Sequence, residues 1–319
     1  MQMRAIVYRQ HGDIEKLEEI QKPRPVPKRN QALIEVRAIG LNPLDYRLRR
    51  GEIGPLTRLQ GPRLTGSDFA GVIVETGGPL EGFQVGDRVM GMVNQIFTGV
   101  SADFIVVDQK HLCPCPENVD DNVAATIPLA SYTAYQGLHE CAAVGPGQRV
   151  LINGASGGVG TYATQFAAIA GAEVTTVTSH RNVDWMKAIG ATNTVDYTKT
   201  DFTSLNDRFD IVFDCYGNRS FSKVRPVLEK NGVYITTIPS PRSYAWSMPN
   251  PFRQKKSRVV VVKSKPMQLS AIKDLIESKA LRPMIDSQFE RHLIHEAYAR
   301  LESKRSKGKI CVAMHSAAV

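Results

Sequence analysis

The chain has 319 residues, 42% of them hydrophobic and 22% charged, with a formal net charge of +9. That length can bury two sizeable cores, and the composition excludes a disordered or low-complexity chain. The excess positive charge is spread along the sequence and is densest over Arg253–Lys265, where an apolar run interrupts it; nucleic acid is therefore not expected as the main partner, and binding of a small polyanion accounts for the charge equally well.

The first third reads as short strands, Met3–Tyr8, Gln31–Ile39, Ala70–Thr76, Arg88–Met92 and Ala102–Val107, rich in β-branched residues and bounded by Gly, Pro or Asp. Their spacing predicts an antiparallel, partly closed β domain. From about Ala125 strands alternate with helices. Arg149–Asn153, Glu173–Thr178, Thr194–Asp196, Asp210–Asp214, Gly232–Ile238 and Arg258–Lys263 read as strands, and Val159–Ala170, Val183–Ile189, Ser220–Glu229 and Gln268–Ser278 as helices. Such alternation predicts an α/β, doubly wound parallel sheet. The segment from Leu281 to Val319 carries two further strands around a helix at His292–Glu302 and is expected to return to the first domain. The expected domains are thus 1–124 with 281–319, and 125–280.

Within the second domain, LINGASGGVG at Leu151–Gly160 runs from an apolar strand through glycines into a helix. Gly154, Gly157, Gly158 and Gly160 remove side chains where a backbone must approach a pyrophosphate, and the helix that follows points its free N–H groups at that anion. Small-residue turns between strand and helix are common, so this loop alone is a weak signal. The next strand adds to it. A site for NAD would place Asp or Glu at its end to accept from the ribose 2′-hydroxyl; here stand Ser179, His180, Arg181 and Asn182, with no carboxylate before Asp184. A guanidinium and a hydroxyl suit a 2′-phosphate, and a hydrogen bond to a charged group contributes about 1.5–3 kcal/mol, so Arg181 is expected to favour NADPH by about one to two decades. The alternative is a solvated arginine in a helix's first turn.

Five cysteines, Cys113, Cys115, Cys141, Cys215 and Cys311, are odd in number and irregularly spaced, unlike a disulfide framework. With neither a leader-like nor a membrane-spanning segment evident, a cytoplasmic location is expected.

Several stretches together resemble the medium-chain dehydrogenase/reductase superfamily in its zinc-free quinone oxidoreductase (zeta-crystallin-like) branch. They are GLNPLD at Gly40–Asp45 with Arg49 and Gly51, GSDFAG at Gly66–Gly71, GDRVMG at Gly86–Gly91, PLASYTAYQGL at Pro128–Leu138, the GASGGVG loop, AIGATNTVDY at Ala188–Tyr197, and Gly308-Lys309-Ile310. They occur in the family's order over nearly the whole length. Within the branch, the SHRN turn, the CYGN segment and the Pro-rich stretch after Ile238 are most similar to the chloroplast-envelope quinone oxidoreductase homologues and the reticulon-interacting proteins.

The resemblance implies a GroES-like catalytic domain, a Rossmann domain and a cleft holding the nicotinamide. It implies that Thr133 touches the cofactor near its nicotinamide half. Ala155, Ser156, Gly157, Gly158 and Val159 would hold the pyrophosphate, and Ser179 and Arg181 the 2′-phosphate. Tyr197 would border the adenosine, with Gly217 and the Ile238-Pro239 turn close by. Zinc-dependent members carry Cys where this chain has Asn42, and Gly-His-Glu where it has Gly66-Ser67-Asp68. The four-cysteine lobe is absent too, since Cys113 and Cys115 form a lone C-x-C; no metal is expected. Without a Lewis acid, alcohol oxidation loses its alkoxide stabiliser, whereas quinones and α,β-unsaturated carbonyls are already electron-poor at the accepting carbon.

Asn42, Asp45 and Tyr46 are the candidates to line the acceptor pocket, Asn42 offering an amide donor and Tyr46 a phenol. Tyr46 lies one position before the site, here Arg47, where the family often has its tyrosine, so water is the other candidate proton donor. Asp45 and Arg49 alternatively pair with each other to fix the loop. The Pro-rich stretch Ser240–Phe252, with Tyr244, Trp246 and Phe252, reads as a loop that either roofs the substrate cleft or packs on its own domain. An exposed edge at Arg258–Lys263 predicts a homodimer, since in this superfamily that strand commonly joins two sheets. Two rival readings stay open: an enoyl-thioester reductase using Arg253, Lys255 and Lys256 for a carrier phosphate, and a non-catalytic NADPH-binding sensor or RNA binder.

Overall fold

A computed structural model describes residues 1–53, 61–248, 250 and 252–315. The chain separates into two compact units: Met1–Leu129 with Ser264–Lys279 and Ile285–Val319, and Ala130–Lys263 with Ala280–Met284.

In the first unit, alternation of apolar and polar residues produces half-buried strands. They are β1 (Gln2–Tyr8), β2 (Glu18–Pro23), β3 (Gln31–Leu41), β4 (Arg63–Leu64), β5 (Asp68–Thr76), β6 (Arg88–Met92), β7 (Phe104–Asp108) and β8 (Leu112–Pro114). A helix, α1 (Pro43–Arg49), leaves the end of β3, and a short turn of helix, α2 (Asp121–Ala124), precedes the second unit. β1 pairs antiparallel with β2 and β4, while β3 is the hub of the main sheet, pairing with both β5 and β7. The strands close around Ile34, Val36, Ile39, Phe69, Ile73, Val89 and Val107.

The second unit begins at Ala130, within α3 (Pro128–Tyr135), whose last residues run into a π-helical turn at Gln136–Cys141. There follow β9 (Arg149–Asn153), α4 (Gly158–Ile169), β10 (Glu173–Thr178), α5 (Val183–Ala188), β11 (Asn193–Asp196), β12 (Phe209–Asp214), α6 (Phe221–Val224), β13 (Leu228–Thr236), α7 (Pro241–Ser247) and β14 (Lys256–Val259). All six strands are parallel, in the order β11-β10-β9-β12-β13-β14. Chain direction across the sheet therefore reverses between β9 and β12, the switch point outside which open α/β sheets bind ligands. The doubly wound arrangement expected from the alternating pattern is present.

The remainder returns to the first unit: α8 (Pro266–Glu277), β15 (Ile285–Glu290), α9 (Ile294–Glu302) and β16 (Lys309–Ala313), with β16 antiparallel to β3. α8 packs with the first unit, not the second, because the Asn118 amide donates to Ile276 O at 2.9 Å and the Glu117 N–H to Glu277 Oε1 at 2.9 Å. The boundary expected at 124/125 falls after Leu129.

Three other expectations are corrected. The helix expected over Ser220–Glu229 stops at Val224, since Pro226 cannot continue it; a short 3-10 turn covers Arg225–Val227 and β13 starts at Leu228, four residues early. The edge strand spans Lys256–Val259 instead of Arg258–Lys263. Beyond it the Gln136 side chain takes up both the N–H and the C=O of Lys263, at 3.0 and 2.7 Å. Ser240–Phe252 contains α7, whose start carries the usual signals: Ser240 caps the N–H of Ser243 at 3.0 Å and Pro241 occupies the first turn. Trp246 then packs edge-on against Phe221, 5.1 Å between centroids, within its own unit. Residues 249 and 251 of that stretch lie outside the described residues.

Candidate functional site

In the first unit the candidate residues sit where β3 hands over to α1. Asp45, third residue of the helix, accepts the Asn42 N–H at 2.8 Å, tying down the turn before Pro43. The Asn42 amide donates to Gly40 O at 3.2 Å and to Asp68 Oδ2 at 3.0 Å. Its oxygen accepts from Lys309 Nζ, which also donates to Leu41 O at 2.9 Å. Asp68 completes the cluster: 3.6 Å from Lys309 Nζ, it accepts the Leu129 N–H at 2.9 Å, and the two charged side chains are 0% and 4% exposed. Asn42 therefore has both amide hydrogens engaged inside the protein.

Burial pushes the Asp45 carboxyl up to about 7, opposed by the Asn42 N–H and by Lys309, and assisted by Asp68. Burial raises Asp68 as well, against the pull of Lys309, and lowers Lys309, against the pull of Asp68 and Asp45. The expected alternative pairing of Asp45 with Arg49 is not formed. Arg49 instead binds Glu302 and Gly12 O, while Asp45 lies 3.4 Å from the Tyr298 hydroxyl. Tyr46 is buried to 8% exposure, its ring beneath the Arg50 guanidinium, and its hydroxyl has no hydrogen-bond partner among the described residues. Burial raises its pKa, which keeps it a donor.

In the second unit the glycine turn lies at the carboxyl end of β9. Gly157 N–H closes on Gly154 O at 3.1 Å and Ala155 N–H reaches Val177 O at 3.3 Å; Ser156 is the residue between them. The N–H groups of Gly158, Val159 and Gly160 precede the first intrahelical bond of α4 and have no backbone acceptor among the described residues. A Cβ on Gly160 would lie 2.3 Å from Gly154 O, so only glycine lets the turn fold so tightly onto the helix. The result is a cradle of outward N–H groups with the positive end of a twelve-residue helix behind it.

At the end of β10, Ser179 is half-buried and Arg181 exposed. Asn182 bonds Thr178 Oγ1 at 3.1 Å and holds the turn. No ion pair occupies the Arg181 guanidinium among the described residues. Tyr197 docks its N–H on Thr178 O at 3.1 Å and leaves its ring 62% exposed beside that strand end. Thr133 is buried on α3. Gly217 adopts φ +76°, and Ile238 lies where a Cβ on that residue would fall. The fit to a dinucleotide phosphate is thus good: N–H donors in a glycine cradle and a free guanidinium at the neighbouring strand end.

Two groups escaped the sequence reading: the Lys309–Asp68 pair, although both residues lie in quoted motifs, and Asp214 with Asn153. Their signal is a lone polar residue at the end of an apolar strand. Among the described residues no group of three His, Cys, Asp or Glu side chains is disposed to hold a metal. Cys113 and Cys115 are buried, which pushes the Cys113 thiol up to about 12. No helix among the described residues is long and apolar enough to cross a membrane.

Comparison with known proteins places both units. The family described as alcohol dehydrogenase GroES-like domain matches residues 28–117, and that described as zinc-binding dehydrogenase matches residues 189–312. The chain is 31% identical over 322 residues to the chloroplast envelope quinone oxidoreductase homolog of Arabidopsis thaliana, covering 97% of this chain and 98% of that one. It is 29% identical to the NADPH-dependent alkenal/one oxidoreductase, chloroplastic, of the same plant, over 98% of this chain and 79% of the relative. The solved quinone oxidoreductase from Coxiella burnetii superposes with a TM-score of 0.91 at 27% identity, covering 98% of this chain and 99% of that one. The chain belongs to the quinone oxidoreductase family of the medium-chain dehydrogenase/reductase superfamily.

Proposed function

We propose that the chain is an NADPH-dependent, metal-independent reductase of quinones or α,β-unsaturated carbonyl compounds. The observation that carries the cofactor half is Arg181: an exposed cation with no carboxylate partner among the described residues, at the end of the strand beside the glycine cradle, where an NAD site would carry an acid. Gly158, Val159 and their neighbours Ala155, Ser156 and Gly157 would receive the pyrophosphate, and Ser179 and Arg181 the 2′-phosphate. Thr133, Tyr197, Gly217 and Ile238 complete the proposed contacts. When bound, the dinucleotide supplies a hydride.

On the acceptor side, two positions that hold zinc or its neighbours in metal-dependent relatives belong to Asn42 and Asp68, already bonded to each other and to Lys309. That arrangement supports chemistry in which a donor, not a metal, meets the developing oxyanion. Asp45 and Asn42 hold the turn, and Tyr46, whose hydroxyl has no hydrogen-bond partner among the described residues, is the candidate proton donor. The enoyl-thioester alternative loses support because Lys255 Nζ is spent on Arg225 O and Leu228 O at 2.7 and 2.6 Å, and Arg253 on Trp246 O. The five free cysteines fit a cytoplasmic setting.

The deciding experiment is NADPH oxidation screened against quinones, enals, enones and enoyl thioesters, with and without chelator. Turnover of the first three, insensitive to chelator, is expected. Chelator-sensitive turnover, or dinucleotide binding without turnover of any acceptor, overturns the reading.

A further inference from the structure

At the switch point of the parallel sheet, the last residues of its two central strands face each other in register: Asn153 ends β9 and Asp214 ends β12. Both are buried, and the Asn153 amide donates to Asp214 Oδ1 at 2.7 Å. Most of the remaining bonds of the pair go to one loop. Asp214 Oδ1 also accepts the Gly217 N–H at 2.8 Å, Asp214 Oδ2 accepts the Arg219 N–H at 3.2 Å, and the Asn153 amide reaches Asn218 Oδ1 at 2.9 Å. The Cys215 N–H donates to Asn153 O at 3.0 Å. On the far side the Tyr234 hydroxyl donates to Arg219 O at 2.6 Å and lies 3.1 Å from Asp214 Oδ2.

The loop so tied, residues 215–219, lies against the glycine turn: a Cβ on Gly154 would lie 3.0 Å from Tyr216 Cβ and 3.2 Å from Tyr216 N. Its other flank is Gly217, pressed onto Ile238. One carboxylate thus collects backbone donors from the loop after β12 and, through Asn153, the strand that launches the glycine turn. A buried carboxylate that uses its acceptor sites on two elements fixes their separation, because each alternative arrangement leaves a charged oxygen unpaired in the interior.

We propose that Asp214 and Asn153 form a positioning pair that sets the spacing between the glycine turn and the 215–219 loop, and so the width of the crevice receiving the middle of the dinucleotide. The inference rests on the dinucleotide reading given above. Neither side chain need touch the ligand. The pair acts on the pyrophosphate region and not on the Ser179–Arg181 turn, which belongs to the next strand over.

The test is Asp214→Asn, with Asn153→Ala as the second variant should the first fail to fold, read by equilibrium titration with NADPH, NADH and adenosine 2′-monophosphate. The expected result is a loss of affinity of about tenfold or more, equal for NADPH and NADH, since one charged hydrogen bond is withdrawn from the spacing. Adenosine 2′-monophosphate, which needs only the Ser179–Arg181 turn, should bind within about twofold of wild type. Unchanged dinucleotide affinity overturns the proposal, as does a parallel loss for all three probes, which would mark a general loosening of the unit. A wild-type chain that binds neither dinucleotide overturns the underlying reading as well, whereas wild-type binding with an indifferent variant refutes the positioning pair alone.

Discussion

Asp45 makes the stability of the first unit depend on pH in an unusual direction. Its carboxyl is fully buried, and its pKa rises from 3.8 to about 7, chiefly through burial, with Asp68 adding to the rise. Lys309 is the cation shared by these two carboxylates, while Arg49 is matched by Glu302. Between pH 4 and 7 the folded chain holds a proton on Asp45 that the unfolded chain has released, so stability falls as pH rises through that window. A shift of about three units corresponds to ~4 kcal/mol over the full window, near 1.4 kcal/mol per pH unit. Asp45→Asn removes the titration while keeping an oxygen to accept the Asn42 N–H and the Tyr298 hydroxyl. Its stability should therefore decline less steeply than the parent's, and the two curves should diverge in the variant's favour as pH rises from about 4 to about 7. Urea unfolding followed by far-UV circular dichroism at pH 4.5, 6 and 7.5 measures the difference. Both tryptophans, Trp185 and Trp246, lie in the second unit, so circular dichroism is the more direct report on the first. Parallel curves across the whole range would refute the reasoning.

Lys309→Met strands Asp68 without its cation and should cost about 3–5 kcal/mol, while Lys309→Met with Asp68→Asn recovers most of it; urea midpoints of the three chains decide. Arg181→Ala should weaken NADPH by about ten- to hundredfold and NADH hardly at all, measured by calorimetric titration, and an equal loss for both refutes the 2′-phosphate assignment. Gly160→Ala places a Cβ 2.3 Å from Gly154 O and should abolish dinucleotide binding even where the circular dichroism spectrum survives. β14, at one edge of its sheet, should join two chains into a dimer; a monomeric mass by light scattering at micromolar concentration counts against it.

Legibility from sequence followed how local the determining physics is. Arg149–Asn153 and Glu173–Thr178 coincide with β9 and β10 to the residue, because a fully buried parallel strand is a short apolar run bounded by turn residues. The glycine turn was readable for the same reason: Gly160 meets a steric demand from Gly154 O, a few residues earlier in the chain. Errors arose where a distant partner outweighs local pattern. Val260–Lys263 reads as strand on β-branched content, yet the Gln136 side chain captures Lys263, and pairing with β13 ends at Val259. The Trp- and Pro-bearing stretch after Ile238 read as loop on its prolines, although Ser240-Pro241 is itself a helix start. Around Asn42, sequence reading located the right turn but not its neighbours. Asp68 and Lys309 are 26 and 267 positions away, and only the pairing of β3 with β5 and β16 brings them together.

That pairing bears on what Asn42 can do. An amide whose hydrogens already serve Gly40 O and Asp68, and whose oxygen serves Lys309, has a fixed orientation and no spare donor. To bind an oxyanion it would have to give up the 3.2 Å bond to Gly40 O, the longer of its two donations. Tyr46 faces no such exchange, since its hydroxyl has no bond to the described residues to give up when it donates. Removing Asn42 should therefore act through the turn it braces, loosening α1 and Asp45 together, whereas Tyr46→Phe should leave the turn intact and change only the proton-delivering step. A solvent isotope effect on acceptor reduction separates the two: it should alter in Tyr46→Phe and persist in Asn42→Ala, and the opposite pattern would make the amide the donor.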